Sequence, residues 1–208
     1  MKITIHQPNF MPWYPLFKKI ESADVFVLLN HCQFEKNNFQ NRFNMNNRWF
    51  TMSTNKGLEK VADKKYVEYN RDWVKIKKSL YNYDLDMFDI CISSSLAKTN
   101  ENIIRKICKL LNINTKIVTD YETVLTGTER LVDICKSLNA TTYISGQSGK
   151  NYMDIDMFNK NNIKVIFQKD KVMFKKPIIL LLITSLMASC ASTKQLVAES
   201  NYSNFSPE

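Results

Sequence analysis

His6, Gln7 and Asn9 put three polar side chains within four residues. They leave a short apolar run, Ile3 to Ile5, and Pro8 and Pro12 stiffen the turn around them. An imidazole beside two carboxamides can accept a proton and hold a polar substrate. A metal site would need further ligands, and the pattern supplies none. Trp13 ends the same stretch, and its ring either stacks on a sugar or base or anchors the loop. A second chemical stretch runs Tyr143-Ile144-Ser145-Gly146-Gln147-Ser148-Gly149-Lys150-Asn151-Tyr152 and uses two of the chain's four glycines. Gly146 and Gly149 let backbone N–H groups approach an anion, Lys150 offers charge, and Ser145 and Tyr152 offer hydroxyls. A plain strand-to-helix turn with an exposed lysine fits the same residues, and the spacing is not that of a Walker loop. A third candidate is Asn41-Arg42, where the planar guanidinium would grip a phosphate or carboxylate, or else pack on Trp49.

The elements that must carry these residues follow from periodicity. Ile3 to Ile5 and Val25 to Leu29 are apolar runs of strand length, the second of the kind buried on both faces. Between them Phe17, Ile20 and Ala23 share one helical face, which predicts a helix from about Pro15 to Ser22. Asn30, His31 and Gln33 leave the second strand on the same side of the sheet as His6. The aromatic and asparagine-rich segment Phe34 to Thr54 predicts an irregular cover leading into a hairpin or edge strand. Helices are expected from Asp72 to about Tyr83, from a Thr99 or Asn100 cap through Leu111, and from Thr128 through Leu138. Thr115 to Val118, Thr142 to Ser145 and Ile163 to Phe167 read as strands, with a short helix from about Asp154 to Asn161 between the last two. The interval Asp84 to Lys98 is ambiguous. Strands alternating with helices define an α/β class: a single Rossmann-like domain with a mainly parallel sheet. Ligands of such sheets dock at the carboxyl ends of the strands, so His6, Gln7, Asn9, Asn41, Arg42, Ser145, Gly146, Gly149 and Lys150 are expected to converge on one cleft there.

Bulk properties narrow the partners. The chain of 208 residues suits one medium domain, and its formal charge of +9 suggests an anionic small molecule such as a nucleotide-sugar. The lysines and arginines are scattered among asparagines with no dense basic block, which argues against nucleic acid as a partner. Of five cysteines, Cys91, Cys108 and Cys135 fall among apolar residues and no pair has C-x-x-C spacing, so reduced core thiols in a cytoplasmic protein are expected. Cys32 lies near the candidate site without a basic neighbour to activate it. Asp24 opens the second strand in turn duty. No cofactor is named by any of these patterns.

The amino end carries no basic-then-apolar leader. From Met173, however, the chain reads Met-Phe-Lys-Lys-Pro, an apolar stretch Ile178 to Ala188, then Ser189-Cys190, which is the pattern of a bacterial lipoprotein leader. The expectation is a domain over 1–172 that does not enter a membrane, followed by a poorly packed extension over 173–208 read from a joined frame. Its eleven or so apolar residues fall short of the roughly twenty that cross a bilayer.

Several segments in order, IHQPNFMPW at 5–13, KIESADVFVLLN at 19–30, QNR at 40–42 and RLVDICKSLNATTYISGQSGKNYMD at 130–154, give the chain a specific resemblance. Over residues 1 to about 170 it resembles the WbqC-like family of bacterial proteins, associated with genes for O-antigen and other surface polysaccharides. The resemblance implies a transferase-like part in surface-sugar modification, acting on an activated sugar or adding an acyl or glycyl group to a sugar amine. It departs from the family where Pro15 and Leu16 replace a glycine and a tyrosine, and where Asn30 and His31 replace acidic residues. The leader-like stretch also stands in place of the family's final segment. By fold-level analogy alone, a histidine loop between strand and helix also suits an ATP-using nucleotidyltransferase or ligase of the HIGH type, although the second histidine of that signature is missing. A sugar-binding protein without turnover is the third reading.

Overall fold

The structure is a computed structural model that describes residues 1–81, 85 and 90–168. The expectations for residues 173–208, and most of the ambiguous interval before Ile90, lie outside the described residues. Five strands, β1 (Lys2–His6), β2 (Val25–Leu28), β5 (Lys116–Thr119), β6 (Thr142–Ser145) and β7 (Lys164–Phe167), form one sheet in the order β5-β2-β1-β6-β7, every pairing parallel. A separate antiparallel hairpin, β3 (Arg42–Met45) with β4 (Arg48–Thr51), sits in the expected cover segment. The α/β class with a mainly parallel sheet is therefore observed. The strand order reverses between β1 and β6, which makes their carboxyl ends the topological switch point of the sheet.

Both faces of the sheet are covered, and β2 shows why its sequence reads as continuously apolar. Phe26 and Leu28 point into a core shared with α1 (Tyr14–Glu21) and α3 (Leu96–Leu110), through Phe17, Ile20, Ile103 and Ile107. Val25 and Val27 point the other way, into a core with α4 (Gly127–Ser137) and α5 (Ile155–Lys160), through Leu131, Ile134 and Phe158. The period-2 alternation of a strand thus feeds two apolar layers at once. Trp73 and Ile76 of α2 (Tyr69–Ser79) and Leu80 at its C-cap belong to the first layer.

Three helices enter the next strand through the same local device. After α3, α4 and α5 the residues Asn112, Asn139 and Asn162 take φ of 55°, 52° and 57°, and the following N–H groups bond back to Cys108, Cys135 and Phe158 at 2.9, 2.8 and 3.0 Å. These are Schellman caps with asparagine in the left-handed position usually held by glycine. An Asx side chain tolerates that region, which lets a chain with four glycines stop its helices sharply.

Helix starts differ from expectation. Ser95, whose hydroxyl accepts from the Lys98 N–H, is the N-cap of α3, so Thr99 and Asn100 lie inside the helix and are fully buried. Thr126, not Thr128, precedes α4, and Thr128 Oγ1 instead accepts from the Asp154 N–H at 3.0 Å. Cys108 and Cys135 are buried as free thiols, whereas Cys91 is exposed rather than in the core. Asp24 performs the expected turn duty by accepting from the Lys2 N–H at 2.7 Å. Among the described residues no helix is long and apolar enough to cross a membrane.

Candidate functional site

At the switch point lies a cleft of about 1160 Å³. Small-ligand pockets typically run to about 1,000 Å³, so this one is large enough for a nucleotide-sized molecule with an attached group. His6 and Gln7 come to it from the end of β1, Ser145 and Gly146 from the end of β6, and Leu29 and His31 from the end of β2. The chain has two histidines, and both line this one space. Trp13 forms a wall with Phe39, ring centroids 5.1 Å apart and edge to face. Lys19 and Arg130 line the interior although each is more than nine-tenths buried.

Of the residues singled out from sequence, His6, Gln7, Asn9, Trp13, Ser145, Gly146 and Tyr152 line the cleft. Asn41 does not: it is buried in the cover, with Nδ2 donating to the Met52 carbonyl at 2.8 Å. Arg42 lies over the Trp49 ring, 4.0 Å from its centroid, and bonds Asn37, which is the packing alternative for that side chain. Gly149 is buried behind the β6 loop, where an added Cβ would stand 2.2 Å from Ser145 Oγ. Its glycine serves close packing. Lys150 is exposed, with Nζ 5.2 Å from the centre of the Phe167 ring.

Dense packing and the nearby Lys19 charge hold the His6 imidazole far below its ordinary value, at about 3. Burial is the larger cause, because a charged ring there would lose its water. Nδ1 lies 2.8 Å from the Gln7 carbonyl, which can only accept, so Nδ1 carries the proton and Nε2 keeps its lone pair. His6 is thus a fixed neutral hydrogen-bonding group and a weak base. Lys19 reaches the Ile5 carbonyl at 3.3 Å from α1, with its stem buried among core residues.

The β1 loop is held from behind. Gln7 Oε1 accepts from Gln40 Nε2 at 2.7 Å, and Gln40 Oε1 accepts from the Glu35 N–H at 2.8 Å. Asn100 Nδ2 donates to the carbonyls of Pro8 and Gln40, both at 2.7 Å, and Tyr66 Oη donates to Asn100 Oδ1 at 3.2 Å. One buried carboxamide on α3 therefore ties the His6 loop to the cover segment. Each of its polar atoms is satisfied in a place closed to water, where a missing partner is costly.

A second polar cluster went unrecognised in the sequence. Asp120, just past β5, has its carboxylate fully out of solvent, and it accepts from the Asn30 N–H at 2.8 Å, the His31 N–H at 3.1 Å and His31 Nδ1 at 2.9 Å. Arg130 Nη2 completes this shell, and its Nη1 donates to the His31 carbonyl at 3.3 Å. Arg130 Nε is buried with no protein partner. Four polar groups from β2, β5 and α4 thus meet at one wall of the cleft, ninety residues apart in sequence. Only topology brings them together. Cys32 is nearby, but burial pushes its thiol up to about 12 and its S–H donates to the Leu29 carbonyl at 3.1 Å. Among the described residues no group of three His, Cys, Asp or Glu side chains is placed to hold a metal ion.

A doubly covered parallel sheet with a polar, partly cationic cleft at its switch point defines an α/β protein of the Rossmann-like class. The chain belongs to the WbqC-like protein family, whose model matches residues 7–176. It is also 27% identical over 185 residues to an uncharacterized protein of Mycobacterium tuberculosis, Rv1507c, an alignment that covers 79% of this chain and 80% of that protein. No solved structure matches it.

Proposed function

We propose that the protein is a transferase of surface-polysaccharide (O-antigen) biosynthesis that binds an activated, nucleotide-linked sugar in the switch-point cleft. The reaction would move the sugar, or an acyl or glycyl group onto a sugar amine. The observation that carries this reading is the meeting of both histidines with the buried cations Lys19 and Arg130 in one large cleft beside the Trp13–Phe39 wall. Three basic side chains, Lys19, Lys60 and Arg130, line it with one acidic one, Glu35; Arg130 is paired with Asp120 and Lys60 with Glu122, so the cationic excess that favours an anionic ligand is small. The amino end of α4 opens on the same space through Thr126 and Gly127, and the Thr126 side chain caps none of its N–H groups. Those donors suit a phosphate or diphosphate. The aromatic wall suits the flat face of a sugar or base. Family membership adds the pathway expectation and no more.

The test is a thermal-shift screen of nucleotides and nucleotide-sugars on purified protein. Stabilisation by one or more nucleotide-sugars is expected, reduced in Trp13→Ala and Lys19→Met. A ligand at about 100 times its Kd stabilises by about 2.7 kcal/mol, a readily seen shift. No response to any nucleotide-sugar would refute the reading. Magnesium-dependent stabilisation by ATP with release of pyrophosphate would replace it with nucleotidyl transfer, and sugar binding without turnover would make the protein a binding module.

A further inference from the structure

A transfer to a sugar hydroxyl or amine needs a proton acceptor beside the reacting atoms, and the cleft offers few. Cys32 is held as a thiol with its S–H on the Leu29 carbonyl, and Glu35 is engaged by Gln7 and Asn38 at the exposed rim. His6 is fixed in place but is a weak base, for the reasons above.

His31 is built differently. Its Nδ1 faces a buried carboxylate that can only accept, so Nδ1 carries a proton, and in the neutral ring the lone pair is on Nε2, the nitrogen left for the cleft. About a quarter of the side chain remains exposed, while none of the Asp120 side chain does. Asp120 in turn is pinned by two backbone N–H groups and by Arg130, which also grips the Tyr121 carbonyl at 3.2 Å. A nitrogen oriented by a third group is the arrangement that general bases share across unrelated folds.

We propose that His31 is the catalytic proton acceptor of the cleft, with Asp120 and Arg130 as its positioning residues. This rests on the transferase reading for its substrate. The proton of the acceptor's O–H or neutral N–H passes to His31 Nε2 as that heteroatom bonds to the donor's electrophilic carbon. The bond from this carbon to the phosphate-bearing oxygen breaks, and its electron pair stays on the departing phosphate. The imidazolium formed is stabilised by Asp120 and returns its proton to water. Phosphate contacts fall to Lys19 and the amino end of α4.

Two histidines make the test direct. Long-range ¹H–¹⁵N spectra of histidine-labelled protein, assigned with His31→Gln, are expected to show His31 with a protonated Nδ1 and a bare Nε2. Diethyl pyrocarbonate, read by peptide mass spectrometry at neutral pH, is expected to label His31 faster than His6. Asp120→Asn should shift the His31 tautomer and slow that labelling, which reads the positioning contact directly. Because Asp120→Asn leaves Arg130 buried without its carboxylate and can fail to fold, the wild-type spectrum reads the tautomer without it, and the transfer rate of His31→Gln decides the catalytic role. With a stabilising nucleotide-sugar, His31→Gln should keep the thermal shift and lose about 100-fold or more in transfer rate. A His31 protonated on Nε2, a His31 inert to the reagent, or an unchanged transfer rate in His31→Gln would overturn the assignment. Absence of any nucleotide-sugar binding would instead refute the transferase reading and leave the spectrum and labelling pattern as they are.

Discussion

Acid should weaken this protein through His6 in a way that one substitution removes. The imidazole falls from an ordinary 6.5 to about 3 in the folded chain, while the unfolded chain keeps the ordinary value. Between those limits the unfolded state binds a proton that the folded state refuses, so stability rises with pH across this window and is lost as pH falls. One pKa unit is about 1.36 kcal/mol, which puts the full effect at about 4–5 kcal/mol. Part of the ring opens to the cleft, so solvent should trim this to about 2–4 kcal/mol, most of it lost by about pH 4. The perturbation is His6→Gln, which keeps a polar group and removes the titration. Urea unfolding followed by tryptophan fluorescence, run on both proteins from about pH 7 to about pH 4, measures the difference. Carboxylates titrate in both proteins and cancel. Parallel loss of stability in wild type and His6→Gln would refute the idea that burial and Lys19 keep the ring neutral.

The remaining predictions concern the frame behind the cleft. Gly149→Ala should cost about 1–3 kcal/mol, since its Cβ would meet Ser145 Oγ at 2.2 Å and Met153 Cε at 2.9 Å, whereas Gly146→Ala, with nothing within 4 Å, should be near neutral in the same urea titration. Asn100→Ala should cost about 2–4 kcal/mol by stranding the Pro8 and Gln40 carbonyls, and should weaken ligand-induced stabilisation as well, because the His6 loop and the cover then separate.

The frame was legible where local pattern decides it. The strand pair β1 and β2, the stripe of α3 and the last β-α-β unit follow from apolar periodicity, and the parallel sheet follows from their alternation. The cleft residues of β1 and β6 were legible for the same reason, since a polar residue directly after a predicted strand must leave at its carboxyl end. Asp120 and Arg130 were not, because a carboxylate after one strand and an arginine inside an amphipathic helix look like surface charges until β5 is seen next to β2. Lys19 hid likewise in the polar half of a helical repeat, its burial set by where α1 lies against the sheet, close enough for Nζ to reach the Ile5 carbonyl of the central strand β1. Lys150 and Arg42 carried charge in suggestive places, yet each had an aromatic ring within reach, and sequence does not rank a packed cation against a ligand-binding one.

The asparagine caps have a consequence for chemical ageing. An asparagine deamidates when the backbone nitrogen that follows it attacks its own side-chain carbonyl. After Asn112, Asn139 and Asn162 that nitrogen belongs to Ile113, Ala140 and Ile163, and in each case it is bound to a carbonyl of the helix just ended. The bond that stops the helix also occupies the atom that would cut the amide, so folding itself guards these three side chains. Unfolding would expose all three together. Newly formed aspartate or isoaspartate at these caps would therefore record how long the chain had spent unfolded.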